Sequence, residues 1–85
     1  MADLSFTDGE YIFREGESAE FAYIVKSGEV QITKITATGE DSLAFIKNPT
    51  LFGEMALIDG SPRSAGARAI GDTVVTEVTS AAFSQ

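Results

Sequence analysis

The sequence predicts a mainly β fold: a small antiparallel barrel or jelly roll of the double-stranded β-helix kind, carrying one short helix. Three observations point there. Short β-prone apolar runs recur between turn signals at intervals of about 8–12 residues, the spacing of small barrels and sandwiches. No stretch before residue 79 sustains a helical period. With 44% of its 85 residues apolar, the chain has the composition of a folded globule with room for one domain.

Taken in order, Tyr11-Ile12-Phe13 is the first short strand, followed by a polar turn over Arg14-Glu15-Gly16-Glu17. Phe21 to Val25 is nearly all apolar and β-prone, so it reads as a strand buried on both faces. A turn at Ser27-Gly28 leads to Glu29–Thr33, where Val30 and Ile32 share one face. Thr38-Gly39-Glu40-Asp41 is a second hairpin-type turn before Leu43–Ile46, and Asn48-Pro49 breaks that run. Met55-Ala56-Leu57-Ile58 makes one helical turn, ended by Asp59-Gly60. Ala65–Ala69, a turn at Gly71-Asp72, and Thr73–Val78 complete seven or eight short strands. Thr79 or Ser80 would then cap a helix starting at Ala81.

Composition removes several functions. The chain has no His and no Cys, so a zinc site with nitrogen or sulfur ligands and a Ser–His or Cys–His nucleophile pair are both ruled out. These absences predict a non-catalytic domain without a metal. The net charge of −7, with only six Lys and Arg, argues against a direct nucleic-acid surface. No apolar stretch approaches a membrane span, and Met1-Ala2-Asp3 does not open a signal peptide. The expectation is a cytoplasmic domain.

One stretch stands out, "FGEMALIDGSPRSA", from Phe52 to Ala65. Gly53 admits an oxyanion close to the backbone, and the first amides of a helical turn have no internal partner. Ala56 is small and would not crowd a ligand. Pro62 fixes the backbone before Arg63, whose guanidinium can grip two phosphate oxygens in a fork. One arginine with a few amides suits a singly charged phosphodiester. A nucleoside triphosphate would call for a glycine loop, a lysine and a metal, and no P-loop pattern is present. Glu54 would repel a phosphate but could face hydroxyl donors such as a ribose 2′-OH, as an acidic residue does in dinucleotide folds. Phosphate on Arg63 and ribose on Glu54 define a ribonucleotide.

This stretch resembles the phosphate-binding cassette of the cyclic nucleotide-binding domain family, which includes kinase regulatory subunits, gated channels and cyclic-AMP receptor transcription factors. The resemblance rests on Phe52-Gly53-Glu54-Met55-Ala56-Leu57, five spacer residues, and Arg63-Ser64-Ala65, with Ala67 and Ala69 continuing it. Ile12, Gly16-Glu17, Tyr23-Ile24-Val25 and Gly28 match upstream, so the similarity covers about residues 6–83. Phe13 and Ala22 stand where aliphatic residues are commoner, a departure read as one of packing.

The resemblance implies that Arg63 binds the exocyclic phosphate oxygens and Glu54 accepts from the 2′-OH. Amides of Gly53, Ala56, Ser64 and Ala65 would complete the cradle, and Ile32 would pack against the base. The implied ligand is cyclic AMP in preference to cyclic GMP, with no other cofactor. The implied partner is an effector domain or protein outside this chain. Residues 1–85 would form one domain that ends where the lid helix of the family begins, with the flanking C-terminal helices largely absent. A jelly-roll interaction or structural domain with an empty pocket is the alternative. The remaining charges, such as Glu15, Glu20 and Asp72, read as a solvated face.

Overall fold

The computed structural model describes residues 2–83, the last of them by its backbone alone. The elements are β1 (Asp3–Phe6), β2 (Tyr11–Phe13), β3 (Ala22–Thr36), β4 (Gly39–Lys47), β5 (Leu51–Phe52), α1 (Glu54–Asp59), β6 (Gly66–Val78) and a closing 3₁₀ turn, Ser80–Phe83. The strands form one antiparallel sheet with the path β1-β6-β3-β4, in which β2 also pairs with β6 and β5 with β3. The path is not closed, and β4 forms one edge.

β3 and β6 form the spine, paired from Ala22↔Val78 to Thr33↔Gly66. They are longer than the sequence predicts, at 15 and 13 residues, so six strands replace the expected seven or eight. The cause lies at Gly28 and Gly71, which were expected to turn the chain. Both take positive φ, +82° and +68°, yet the chain runs on as strand. The register of β3 on β6 shifts on both sides of Ser27, which is bulge behaviour that bends a strand without ending it. Gly28 also needs its missing Cβ: one built there would drive into the Asp72 carbonyl and the Thr73 side chain across the pair.

The core joins Phe13, Tyr23, Val25, Val30, Phe52, Ala67 and Val75, with Leu4, Phe6, Phe21, Ile32 and Ile46 packed against it. Phe13, Tyr23 and Phe52 form an aromatic trio with centroids 5.6–6.0 Å apart, within the range where ring pairs attract beyond simple burial. The strand over Phe21–Val25 is buried much as expected: Ala22 and Val25 are fully covered, while Ile24 and Phe21 are half-buried. β4 is exposed along most of its length. Leu43 and Phe45 are 59% exposed, because only β3 flanks this strand.

The helix expected from Ala81 is a single 3₁₀ turn, with the Ala82 amide donating to the Thr79 carbonyl at 3.1 Å. Its expected continuation to Gln85 lies outside the described residues. Among the described residues no helix is long and apolar enough to cross a membrane.

Candidate functional site

The site is assembled around α1. Gly53 is its N-cap in the left-handed region, φ 77° and ψ 11°, and no side chain caps the helix start. That conformation is nearly free for glycine and strained for other residues. Gly60 closes the helix in the same conformation, its amide donating to the Ala56 carbonyl at 2.9 Å, a common helix stop. Glu54 occupies the first helical position, where the helix dipole favours a negative charge. It is half-buried, and no hydrogen bond or ion pair engages its carboxylate among the described residues.

Ser61-Pro62 carries the chain to Arg63, whose backbone is clamped on both sides by the turn after β2. The Arg63 amide donates to the Glu17 carbonyl and the Gly16 amide donates to the Arg63 carbonyl, both at 2.8 Å. The turn is itself braced, because the Glu17 side chain accepts from the Arg14 amide at 2.8 Å. Arg63 therefore leaves a fixed point and turns inward. It is only 4% exposed. Its Nη1 donates to the Gly53 carbonyl at 2.6 Å and its Nη2 to the Phe21 carbonyl. The guanidinium carbon stands 3.9 Å from the centre of the Phe13 ring and 5.9 Å from that of Tyr23.

Burial pulls the Arg63 pKa below its usual value, and the charges of Tyr23 and Glu17 act in the opposite direction. The neighbouring Tyr23 hydroxyl is pushed up, chiefly by burial, against the pull of the Arg63 cation. Among the described residues no carboxylate pairs with Arg63. A buried cation held by neutral carbonyls and an aromatic face retains most of its charge for an anion.

A cavity of about 300 Å³ brings these groups together. All seven residues singled out in the sequence line it: Ile32, Gly53, Glu54, Ala56, Arg63, Ser64 and Ala65. Ile32 reaches it from β3, where it lies opposite Ala44 and Ala67. Ser64 is exposed, and its carbonyl accepts from the Lys34 ammonium at 2.7 Å. The cavity is further lined by Phe52 and Met55 of the motif, and by Phe13, Ile46 and Leu51, which the motif does not include. Among the described residues no cluster of carboxylates could hold a metal ion.

Two sequence expectations change. Phe13 was read as a packing residue, yet its ring also forms a wall of the cavity against Arg63. An aromatic in an apolar strand carries no local sign of what its face will meet. Glu15 was assigned to a solvated face, yet it is half-buried. It accepts from the Ile35 amide at 3.0 Å and pairs with Lys34 at 3.2 Å, lowering its pKa. It thereby holds the lysine that grips Ser64. Glu20 and Asp72 are exposed as expected.

Comparisons with known proteins agree with this geometry. The family model for the cyclic nucleotide-binding domain matches residues 3–85. The chain is 34% identical over 79 residues to a CRP-like cAMP-activated global transcriptional regulator of Mycobacterium tuberculosis, covering 92% of this chain and 33% of that protein. It is 33% identical over 82 residues to the cAMP-dependent protein kinase regulatory subunit of Dictyostelium discoideum, covering 92% of this chain and 25% of that protein. The chain thus spans a third or less of these relatives. Among solved structures, the cAMP-bound form of the EAL enzyme Bd1971 superposes with a TM-score of 0.88 at 35% identity, over 93% of this chain and 22% of that one. Its cGMP-bound form gives 0.89 at 35% identity, over 94% and 22%. Fold, cassette and family model coincide, and the chain belongs to the cyclic nucleotide-binding domain family.

Proposed function

We propose that this chain binds a cyclic mononucleotide, cyclic AMP in preference to cyclic GMP, and serves as the ligand-sensing module of a regulatory protein. In this reading Arg63 takes the exocyclic phosphate oxygens and Glu54 the ribose 2′-OH. Amides of Gly53, Ala56, Ser64 and Ala65 complete the phosphate cradle, and Ile32 packs against the base. The domain binds and performs no chemistry of its own. Its effector is a separate domain or protein.

The observation that carries the reading is the shared cavity. It sets a buried guanidinium and an unpartnered carboxylate into one space of about 300 Å³, a size at the lower end of small-molecule sites and suited to a mononucleotide. Among the described residues the two charges form no ion pair with each other. Here the arginine is turned onto carbonyls and a ring instead, leaving the carboxylate available for hydroxyl donors. The preference for cyclic AMP draws support from the names of the M. tuberculosis and D. discoideum relatives. Bd1971 has been solved with either nucleotide, so both must be compared directly.

Calorimetric titration of cyclic AMP and cyclic GMP into the chain tests the proposal. Saturable binding, tighter for cyclic AMP, is expected. Arg63→Ala should abolish it while the circular dichroism stays unchanged, because truncating one partner of a desolvated charge pair costs about 2–5 kcal/mol. Arg63→Lys should recover little, since a point charge cannot reproduce the fork. Undiminished affinity in a folded Arg63→Ala protein refutes the assignment, and tighter binding of cyclic GMP reverses the base preference.

A further inference from the structure

The geometry points to Phe13 as a positioning residue for the anion site: its ring fixes the Arg63 guanidinium and so decides which N–H donors meet the ligand. This rests on the reading that Arg63 takes the phosphate. The guanidinium carbon lies 3.9 Å from the ring centre, well inside the range of about 6 Å over which a cation is attracted to an aromatic face. Arg63 is 4% exposed, so water competes little with that attraction.

A guanidinium offers five N–H donors in one plane. Nη1 uses one on the Gly53 carbonyl and Nη2 uses one on the Phe21 carbonyl, which stops rotation within the plane. The Phe13 ring covers a face and stops the plane from tilting. Three donors remain, and one of them, Nε–H, is buried without a partner. Buried donors are seldom left unpaired, and a phosphate oxygen is the partner that the reading supplies.

Phe13 is itself held firmly. It is paired with Ala67 through β2 and β6, lies 6.0 Å from both Tyr23 and Phe52, and is 9% exposed. Among the described residues no carboxylate pairs with Arg63, so the Phe13 ring and two neutral carbonyls are its direct partners, with the Tyr23 ring farther off at 5.9 Å. An arginine already fixed before the ligand arrives has less freedom to lose on binding. A leucine at position 13 would fill most of the same space and offer no negative face.

Two measurements test this on the intact chain. The first needs no ligand: the rotation rate of the Arg63 guanidinium about Nε–Cζ, followed by nitrogen NMR, should be slow in the parent and fast in Phe13→Leu. The second is the affinity for cyclic AMP. Phe13→Leu should weaken it about 3- to 30-fold, from the usual strength of a cation–π contact. Because Phe13→Leu also alters the core, the same titration should be run with mono-, di- and trifluorophenylalanine at position 13. These keep the ring shape and weaken its face in steps. Affinity falling stepwise, with an unchanged circular dichroism spectrum, supports the inference. Equal guanidinium rotation in parent and Phe13→Leu overturns it, whether or not a nucleotide binds. Affinity that stays flat across the fluorinated series overturns it too. A slow guanidinium in a parent that binds no cyclic nucleotide supports the Phe13–Arg63 contact and defeats the functional reading instead.

Discussion

Replacing Gly53 by alanine, with Gly60→Ala as its control, separates backbone strain from crowding at the site. Both glycines flank α1 in the left-handed region, with φ of 77° and 73°. An alanine in that conformation costs about 1–2 kcal/mol at either position. Around Gly60 an added Cβ meets nothing within 4 Å, so strain is the whole effect there. At Gly53 the Cβ would lie 2.8 Å from Arg63 Nη1 and 3.1 Å from the Phe13 ring. Arg63 cannot swing away freely, being tied to two carbonyls and stacked on that ring, so forced repacking adds about 1–3 kcal/mol. Gly53→Ala should therefore cost about 2–5 kcal/mol in total, a large share of the stability of a domain this size, about 4–13 kcal/mol. Its melting temperature should fall roughly 5–20 °C below that of Gly60→Ala. Binding should divide the pair in the same way. Gly60→Ala should stay within about twofold of the parent, while Gly53→Ala, by displacing the guanidinium, loses about tenfold or more. Thermal melts followed by circular dichroism and calorimetric titration read both quantities. Two variants equal in melting temperature and in affinity would refute the reasoning, since the contact with Arg63 would then carry no energy.

Glu54→Gln should weaken cyclic AMP and narrow its advantage over the 2′-deoxy analogue. The parent should bind that analogue poorly, because a carboxylate left without a donor is costly. Equal affinity of the parent for ribo and deoxy ligands contradicts the role given to Glu54. Acid should destabilise the fold. The pKa values of Asp3, Glu10, Glu15 and Glu40 are held below their ordinary values of 3.8 and 4.5, chiefly by hydrogen bonds from Lys26, the Thr7 amide, the Ile35 amide and Tyr11 respectively. Depressed carboxyls contribute stability above the unfolded values and lose it as pH falls through the folded ones. Urea midpoints should thus stay level from pH 7 to about 5 and fall below about 4.5, less steeply in Glu40→Gln. A midpoint that holds or rises down to pH 3 would show that relief of charge repulsion outweighs these bonds.

Much of the site was legible because its chemistry is local. Gly53, Glu54, Ala56, Gly60 and Arg63 lie within one short stretch. The positive φ that a glycine allows, the short apolar run and the stop at Gly60 set the shape of that stretch with little help from elsewhere. The turn at Arg14–Glu17 and the strands on either side of it were readable for the same reason. Gly28 and Gly71 misled because a glycine with positive φ serves a hairpin and a bulge equally well. The choice depends on what lies across the strand, which here is Asp72 and Thr73 opposite Gly28.

The sequence by itself determined the β class, the helix with its two glycine ends, and the cassette residues from Gly53 to Ala65 that line one side of the cavity. All of these follow from side-chain type and short-range spacing. Only the tertiary structure decided how Arg63 is held. The Phe13 ring comes from β2 and the Phe21 carbonyl lies just before β3, both far from Arg63 along the chain. A backbone carbonyl is present in every residue, so no residue type marks the one that will accept a bond. The link from Glu15 through Lys34 to the Ser64 carbonyl is of the same kind. Each of its charges reads as surface until β3 brings them together, and what a charge does is set by the neighbours that folding gives it.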